Sequence, residues 1–180
     1  MVFHLHPPHP IEAEIPRLRR FALALARDRA IADDLVQDCL ERALAAWATR
    51  RNEQALRAWL FTILHNGWRS RLRREGGRPD RLPLDQIETE PGESGGQWER
   101  LELRDLDAAL GLLPEEQRAV LLLVAVEGMS YEEAARVQDV AIGTIMSRLA
   151  RGRERLRRLM EGEPPQTGGE RPATHLRRVK

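Results

Sequence analysis

The stretch that decides the fold is Pro114–Met160, PEEQRAVLLLVAVEGMSYEEAARVQDVAIGTIMSRLARGRERLRRLM. Pro114 followed by Glu115, Glu116 and Gln117 is a helix start, because Pro suits the first helical position and acids suit the positive end of the helix dipole. The apolar run Ala119 to Val126 predicts that this helix is largely buried. Gly128 stands where a helix ends in a positive φ. Ser130-Tyr131-Glu132-Glu133 then has the spacing of a capping box, in which Ser130 and Glu133 satisfy each other's orphan amides. A short helix through Val137 ends at Gln138-Asp139, and a new one opens near Gly143-Thr144. It runs through Ser147, Arg148, Arg151, Arg153, Arg155, Arg157 and Arg158, with Glu154 opposing them. Two helices joined by a tight turn, the second polar at its start and basic along its length, predict a helix-turn-helix whose last helix enters a DNA major groove.

The competing reading of an Arg-rich helix is a solvated face. Ile145, Leu149, Leu156 and Leu159 supply the core positions, with a phase drift between Leu149 and Leu156; Thr144, Ser147, Arg148 and Arg151 fall on other faces. A solvated helix needs carboxylates as much as guanidiniums, so the basic excess favours phosphate contact.

The formal net charge of +1 hides this, because charge is segregated along the chain. Arginine dominates Arg69 to Arg81 and Arg148 to Arg158, while acids gather at Asp85, Glu88, Glu90 and Glu93. Local patches, not the total, set the field a nucleic acid feels. A single cysteine, Cys39, excludes an internal disulfide and fits a reducing, cytoplasmic setting, and its place on an apolar stripe favours packing over redox sensing. No apolar run is long enough to span a bilayer, and the N-terminus has no signal-peptide core. Leu/Ala/Arg-rich stretches with few aromatics predict an all-α chain.

Length and breakers predict two small helical domains. Residues 1–10 are expected to be a tail, 11–75 a first domain, 76–97 an acidic Gly/Pro-rich linker, 98–161 the helix-turn-helix domain and 162–180 a second tail. In the first domain Leu18, Phe21, Ala22 and Leu25 mark one amphipathic helix, and Asp28 caps the next. That next helix carries an apolar stripe of Leu35, Val36, Cys39, Leu40, Ala43, Leu44 and Trp47 opposite Asp34, Gln37, Asp38 and Glu41. A third helix, from about Ala55 to Arg74, buries Leu60, Ile63, Leu64 and Trp68, with Thr62, His65, Asn66, Arg69 and Arg73 on its polar side. His4, His6 and His9 lie in a Pro-rich tail short of the four ligands a structural zinc wants, so no metal or other cofactor is expected. Neither a phosphate loop nor a nucleophile–base pair appears, so no enzyme and no small-molecule substrate is expected.

Five motifs occur in order: Asp33-Asp34-Leu35-Val36-Gln37-Asp38, Arg57-Ala58-Trp59-Leu60-Phe61-Thr62-Ile63, Leu113-Pro114-Glu115-Glu116-Gln117-Arg118, Gly128-Met129-Ser130-Tyr131-Glu132-Glu133-Ala134-Ala135, and Gly143-Thr144-Ile145-Met146-Ser147-Arg148-Leu149. Together they resemble bacterial sigma factors of the extracytoplasmic-function (ECF) type, over roughly Ile15 to Leu159. The resemblance implies a protein that binds core RNA polymerase, directs it to promoter DNA and helps open the duplex. It implies that Asp34, Gln37, Asp38 and Glu41 form the polymerase face, whose carboxylates suit arginines on a partner helix. It implies that the loop Thr49 to Gln54, with Arg50, Arg51 and Asn52, captures a flipped base of the −10 element, and that Asn66, Arg69 and Arg73 meet the edge of the melted region. Trp59 and Trp68 carry rings suited to stacking on exposed bases, although the motif around Trp59 looks buried.

In the last helix the resemblance makes Thr144, Ser147, Arg148, Arg151 and Arg155 the −35 contacts. Many relatives have Lys or Arg where this chain has Met146, so its −35 preference is not copied from theirs. Sigma factors of this size are usually silenced by an anti-sigma protein that wraps both domains, which is expected here too. Two alternatives stay open: a sigma-like mimic that sequesters an anti-sigma protein without touching DNA, and a stand-alone helix-turn-helix regulator. The mimics usually carry a receiver domain and eroded DNA-reading residues, whereas this chain shows no receiver and keeps Ser147, Arg148 and Arg151. Finally, two DNA elements two helical turns apart lie ~70 Å from one another. A flexible linker of roughly 25 residues averages ~30 Å end to end, so the free protein is expected to be more compact than the promoter-bound one.

Overall fold

Seven α-helices and no strand make up the residues that this computed structural model describes, 9–49, 56–76 and 97–162. The loop residues Arg50, Arg51 and Asn52, most of the expected linker and most of both tails fall outside them. In the first bundle α1 (Ile15–Ala26), α2 (Arg29–Ala45) and α3 (Leu56–Arg74) pack against one another. The second comprises α4 (Gln97–Gly111), α5 (Glu115–Leu121), α6 (Tyr131–Gln138) and α7 (Ile142–Met160).

Local chemistry sets most of these boundaries. Arg27 takes a left-handed conformation (φ 56°) to end α1, and the Asp28 carboxylate accepts a 2.8 Å hydrogen bond from the Ile31 amide to start α2. Pro114 is the N-cap of α5, one position earlier than expected, and α7 starts at Ile142 rather than Gly143. The capping box forms in full: Ser130 Oγ accepts from the Glu133 amide (3.2 Å) and Glu133 Oε2 from the Ser130 amide (2.8 Å). Gly128 holds φ 63° in the turn before it.

α5 runs into a π-helical turn, Leu122–Val126. A π turn inserts an extra residue and shifts the helix phase. Residues 119–123 are buried as expected, but Val126 is exposed and Glu127 turns inward.

The core of the first bundle holds Leu18, Phe21, Leu25, Leu35, Cys39, Leu60, Phe61, Leu64 and Trp68. The Phe21 and Phe61 rings meet at 5.0 Å between centroids. Cys39 Sγ donates to the Leu60 carbonyl, and burial pushes its thiol up to about 12, the behaviour of a packing residue. Trp68 is fully buried and offers no face to a base, and Trp59 is half-buried. Leu44, expected on the apolar stripe, is instead exposed beside the acidic face of α2.

The two bundles are packed together, with α6 lying on α3. Their contact corrects one expectation: His65, placed by periodicity on the polar side of α3, is 3% exposed, because α5, α6 and α7 cover it.

Candidate DNA- and polymerase-binding faces

α7 is positioned by its apolar side. Ile145 and Leu149 are buried, Leu156 and Leu159 are half-buried, and the phase drift between them is filled by Gly152. There α7 crosses α5 so closely that an added Cβ would stand 3.1 Å from Leu121 Cδ1 and 3.3 Å from Gln117 Cβ. Sequence periodicity marked the drift but not the residue that explains it.

Of the expected −35 residues, Ser147 and Arg151 are exposed and interlocked. The Ser147 hydroxyl donates to the Thr144 carbonyl (3.0 Å), and Arg151 Nε donates to the Ser147 carbonyl (3.2 Å). Thr144 and Arg155 are half-buried. Arg148 is placed differently from Ser147 and Arg151. Its side chain is 18% exposed, with Nη1 donating to Gln138 Oε1 at 2.8 Å and Nη2 lying 3.4 Å from Glu116 Oε1. It bridges α7 to α6 and α5 rather than projecting from the helix. Arg157 and Arg158 are engaged by Glu154 and Glu161, which raise the Arg157 guanidinium further above its ordinary range. The exposed basic character of α7 that Glu154 and Glu161 leave unengaged therefore centres on Arg151 and Arg153, midway along the helix.

On the first bundle, Asp34, Gln37, Asp38 and Glu41 are all exposed along α2. Gln37 Nε2 donates to Glu41 Oε1 (3.0 Å), Asp38 lies 3.8 Å from Arg42, and Asp34 lies 3.7 Å from Arg71 of α3. The two ion pairs are long and their carboxylates solvent-exposed, so they are weak and easily exchanged for a partner's cations. Asn66, Arg69 and Arg73 are exposed on α3, separated from the acidic face of α2 by the buried Leu64 and Trp68 side.

Between the bundles lies an ion cluster that the sequence did not signal. The Glu127 carboxylate is 1% exposed; Oε1 accepts from Arg20 Nε (3.2 Å) and Nη2 (3.0 Å), and Oε2 faces Arg57 Nη2 at 3.7 Å. Arg27 of the first bundle donates to Asp107 of α4 (3.0 Å). His65 Nε2 stands 3.7 Å from Glu115 Oε1. Burial, with Arg69 and Arg148 adding repulsion, lowers His65 to about 4, and burial raises Glu115. A neutral imidazole at that distance makes no salt bridge.

Comparison with known proteins places the two bundles. Residues 11–65 match the Sigma2 domain of PhyR, and residues 103–156 match Sigma-70, region 4. Over 153 residues the chain is 42% identical to the ECF RNA polymerase sigma factor EcfG of Rhodopseudomonas palustris (strain TIE-1), covering 83% of this chain and 82% of that protein. This chain belongs to the ECF RNA polymerase sigma factors. It is 34% identical over 132 residues to the ECF sigma-E factor of Escherichia coli (strain K12), covering 67% of this chain and 69% of the relative. Among solved structures it is similar to the sigma factor RpoE of Bartonella quintana in complex with the anti-sigma factor NepR. That match has a TM-score of 0.71 at 36% identity, covering 86% of this chain and 96% of that one. The all-α, two-domain architecture of this sigma factor is thus the family's own, with the region 4 match running from within α4 into α7 and α6 and α7 forming its helix-turn-helix.

Proposed function

We propose that this ECF sigma factor docks on core RNA polymerase through Asp34, Gln37, Asp38 and Glu41, and brings it to promoters whose −35 element is read by α7. Ser147 and Arg151 act as base readers, while Thr144 and Arg155 lie toward the phosphates. Asn66, Arg69 and Arg73, with Arg50, Arg51 and Asn52 of the preceding loop, serve the −10 element. The working division of the chain is 11–75 for polymerase and −10 binding, 98–161 for −35 binding, and 76–97 as the segment joining them. The role is regulatory rather than catalytic, and its setting is the cytoplasm.

One observation carries the proposal: α7 presents Ser147 and Arg151 outward on a helix held rigidly at Gly152, while the acidic face of α2 stands exposed on the other bundle. A bidentate Arg–guanine pair supplies about 1–3 kcal/mol of base discrimination. Arg148 is a bridge within the closed protein and joins the base readers only if Gln138 releases it. An anti-sigma factor is the expected inhibitor, since the Bartonella relative was solved with one. It would act on the same two faces.

The match of residues 11–65 to the Sigma2 domain of PhyR favours a second reading, an anti-sigma decoy. Incubation with bacterial core polymerase and run-off transcription on a genomic fragment pool separates the two. New discrete starts, lost in Asp34→Arg/Asp38→Arg and in Arg151→Ala, support the sigma factor. Polymerase capture that never yields a start sinks it in favour of the decoy.

A further inference from the structure

We infer that Met146 makes this chain a reader of thymine methyl groups in the −35 element; the inference rests on the proposal that α7 enters the major groove. Residues four apart form ridges on a helix. α7 carries two neighbouring ridges on its exposed side. One is polar, Gly143, Ser147 and Arg151; the other is apolar, Ile142, Met146 and Ala150, and all six residues are exposed. Met146 is 54% and Ile142 42% exposed, among the large apolar side chains left open to water on this protein. The apolar ridge borders the core stripe of Ile145 and Leu149, yet its side chains stay exposed, which on an otherwise basic helix costs solubility.

A duplex supplies an occupant of matching chemistry. The major groove displays guanine N7 and O6, which a guanidinium reads, and the thymine C5 methyl, which an apolar side chain reads. The N-terminal turns of the second helix are the part that contacts base edges, and both ridges begin there. Arg153 is exposed beside them and supplies attraction for a neighbouring phosphate. Met, unbranched and flexible, can settle on a methyl without demanding fixed geometry. A cation at position 146 would be drawn to phosphate instead, so Met146 changes what the helix reads rather than merely removing a contact.

The test uses the full chain with core polymerase on a promoter pool randomised upstream of the start. The wild type should enrich thymine at one or two positions of the −35 element. Replacing each enriched thymine by deoxyuridine removes only the methyl, and should lower run-off about three- to fivefold, the effect of one buried methyl. Met146→Ala should bring that thymine-to-uracil ratio close to one, Met146→Leu should preserve it, and Met146→Lys should lose the thymine preference there. Because Met146 is exposed, these variants should fold, which circular dichroism checks. Equal use of thymine and uracil at every position would overturn the inference and leave the ridge to a protein partner, as would a methyl effect that persists in Met146→Ala. If no −35 element is selected at all, and Arg151→Ala changes nothing, the groove reading itself falls and takes this inference with it.

Discussion

Arg148 Nη1 donates a 2.8 Å hydrogen bond to Gln138 Oε1, so the helix proposed to read DNA is tied by its own cation to the helix before it. Gln138 is 2% exposed, and its amide nitrogen has no hydrogen-bond partner among the described residues. The guanidinium is therefore what satisfies this buried side chain. Three residues on, Arg151 is exposed and touches its own helix at Ser147. Two arginines of the same helix thus do different work.

The first prediction separates them. Arg148→Ala should lower unfolding stability by about 1.5–3 kcal/mol, the range for a hydrogen bond between a charged donor and a buried acceptor. Arg151→Ala should stay within about 0.5 kcal/mol, as surface substitutions do, yet abolish −35 selectivity. Urea titration of both variants beside promoter run-off decides the matter. Equal stability losses would mean that Arg148 is no more structural than Arg151.

Glu127 should act as the latch between the bundles. Its carboxylate is buried against Arg20 and Arg57 of the first bundle, so its removal leaves two guanidiniums facing a neutral pocket. Arg20 is half-exposed and recovers water, which keeps the loss below that of a fully buried pair. Glu127→Gln should shift the closed–open balance by about 1–2 kcal/mol. Solution scattering or inter-bundle energy transfer should then report a larger mean separation. Polymerase binding should strengthen rather than weaken, because an extended sigma factor pays less to span two promoter elements. A variant as compact as the wild type would remove Glu127 from this role.

Acid should open the same interface through His65. Covered by α5, α6 and α7, it faces Glu115, Arg69 and Arg148 and is held at about 4 instead of 6.5. A histidine with a depressed value favours the closed form above 6.5 and loses that contribution as pH falls toward 4. The full move corresponds to on the order of 3 kcal/mol. Glu115 works the other way: burial raises it, so its contribution is present at low pH and fades as pH rises through its own range. His65 is the more deeply buried and the more strongly moved, so between pH 7.5 and 5 its sign should prevail. Scattering across that range should show expansion on acidification, and His65→Gln should flatten it. An imidazole titrating near 6.5 by NMR in the closed protein would contradict the geometry.

What was legible in the sequence was local. Asp28, Gly128 and the Ser130–Glu133 box act on amides within three residues of themselves, so their chemistry can be read without knowing the fold. The exposed acidic face of α2 followed from period alone. His65 was misplaced because periodicity within α3 sees only the first bundle, and the helices that bury His65 lie fifty and more residues away. Leu44 differs for the complementary reason: it continues the stripe in sequence, but among the described residues none packs over that end of α2 closely enough to cover it. Glu127 was invisible because a π turn shifts the phase on which burial was judged. Arg148 has the spacing of a groove contact, and it is Gln138 on α6 together with Glu116 on α5 that turns it inward.

Gly152 offers the last prediction, because it tests whether the reading helix is held by shape. α7 meets α5 with little room for a side chain: a Cβ at 152 would stand 3.1 Å from Leu121 Cδ1 and 3.4 Å from the Gln117 carbonyl. Gly152→Ala gains about 1 kcal/mol of helix propensity against that crowding, so the two effects should nearly cancel. Gly152→Leu gains no more propensity and forces three further carbons into the crossing. Overpacking of that kind typically costs about 1–3 kcal/mol, and it should tilt α7 away from α5. The thermal midpoint should fall and −35 selectivity should be lost, while capture of core polymerase through α2 persists. A Leu variant that kept both stability and selectivity would show that α7 is positioned by Ile145 and Leu149 alone, and that the close crossing is incidental.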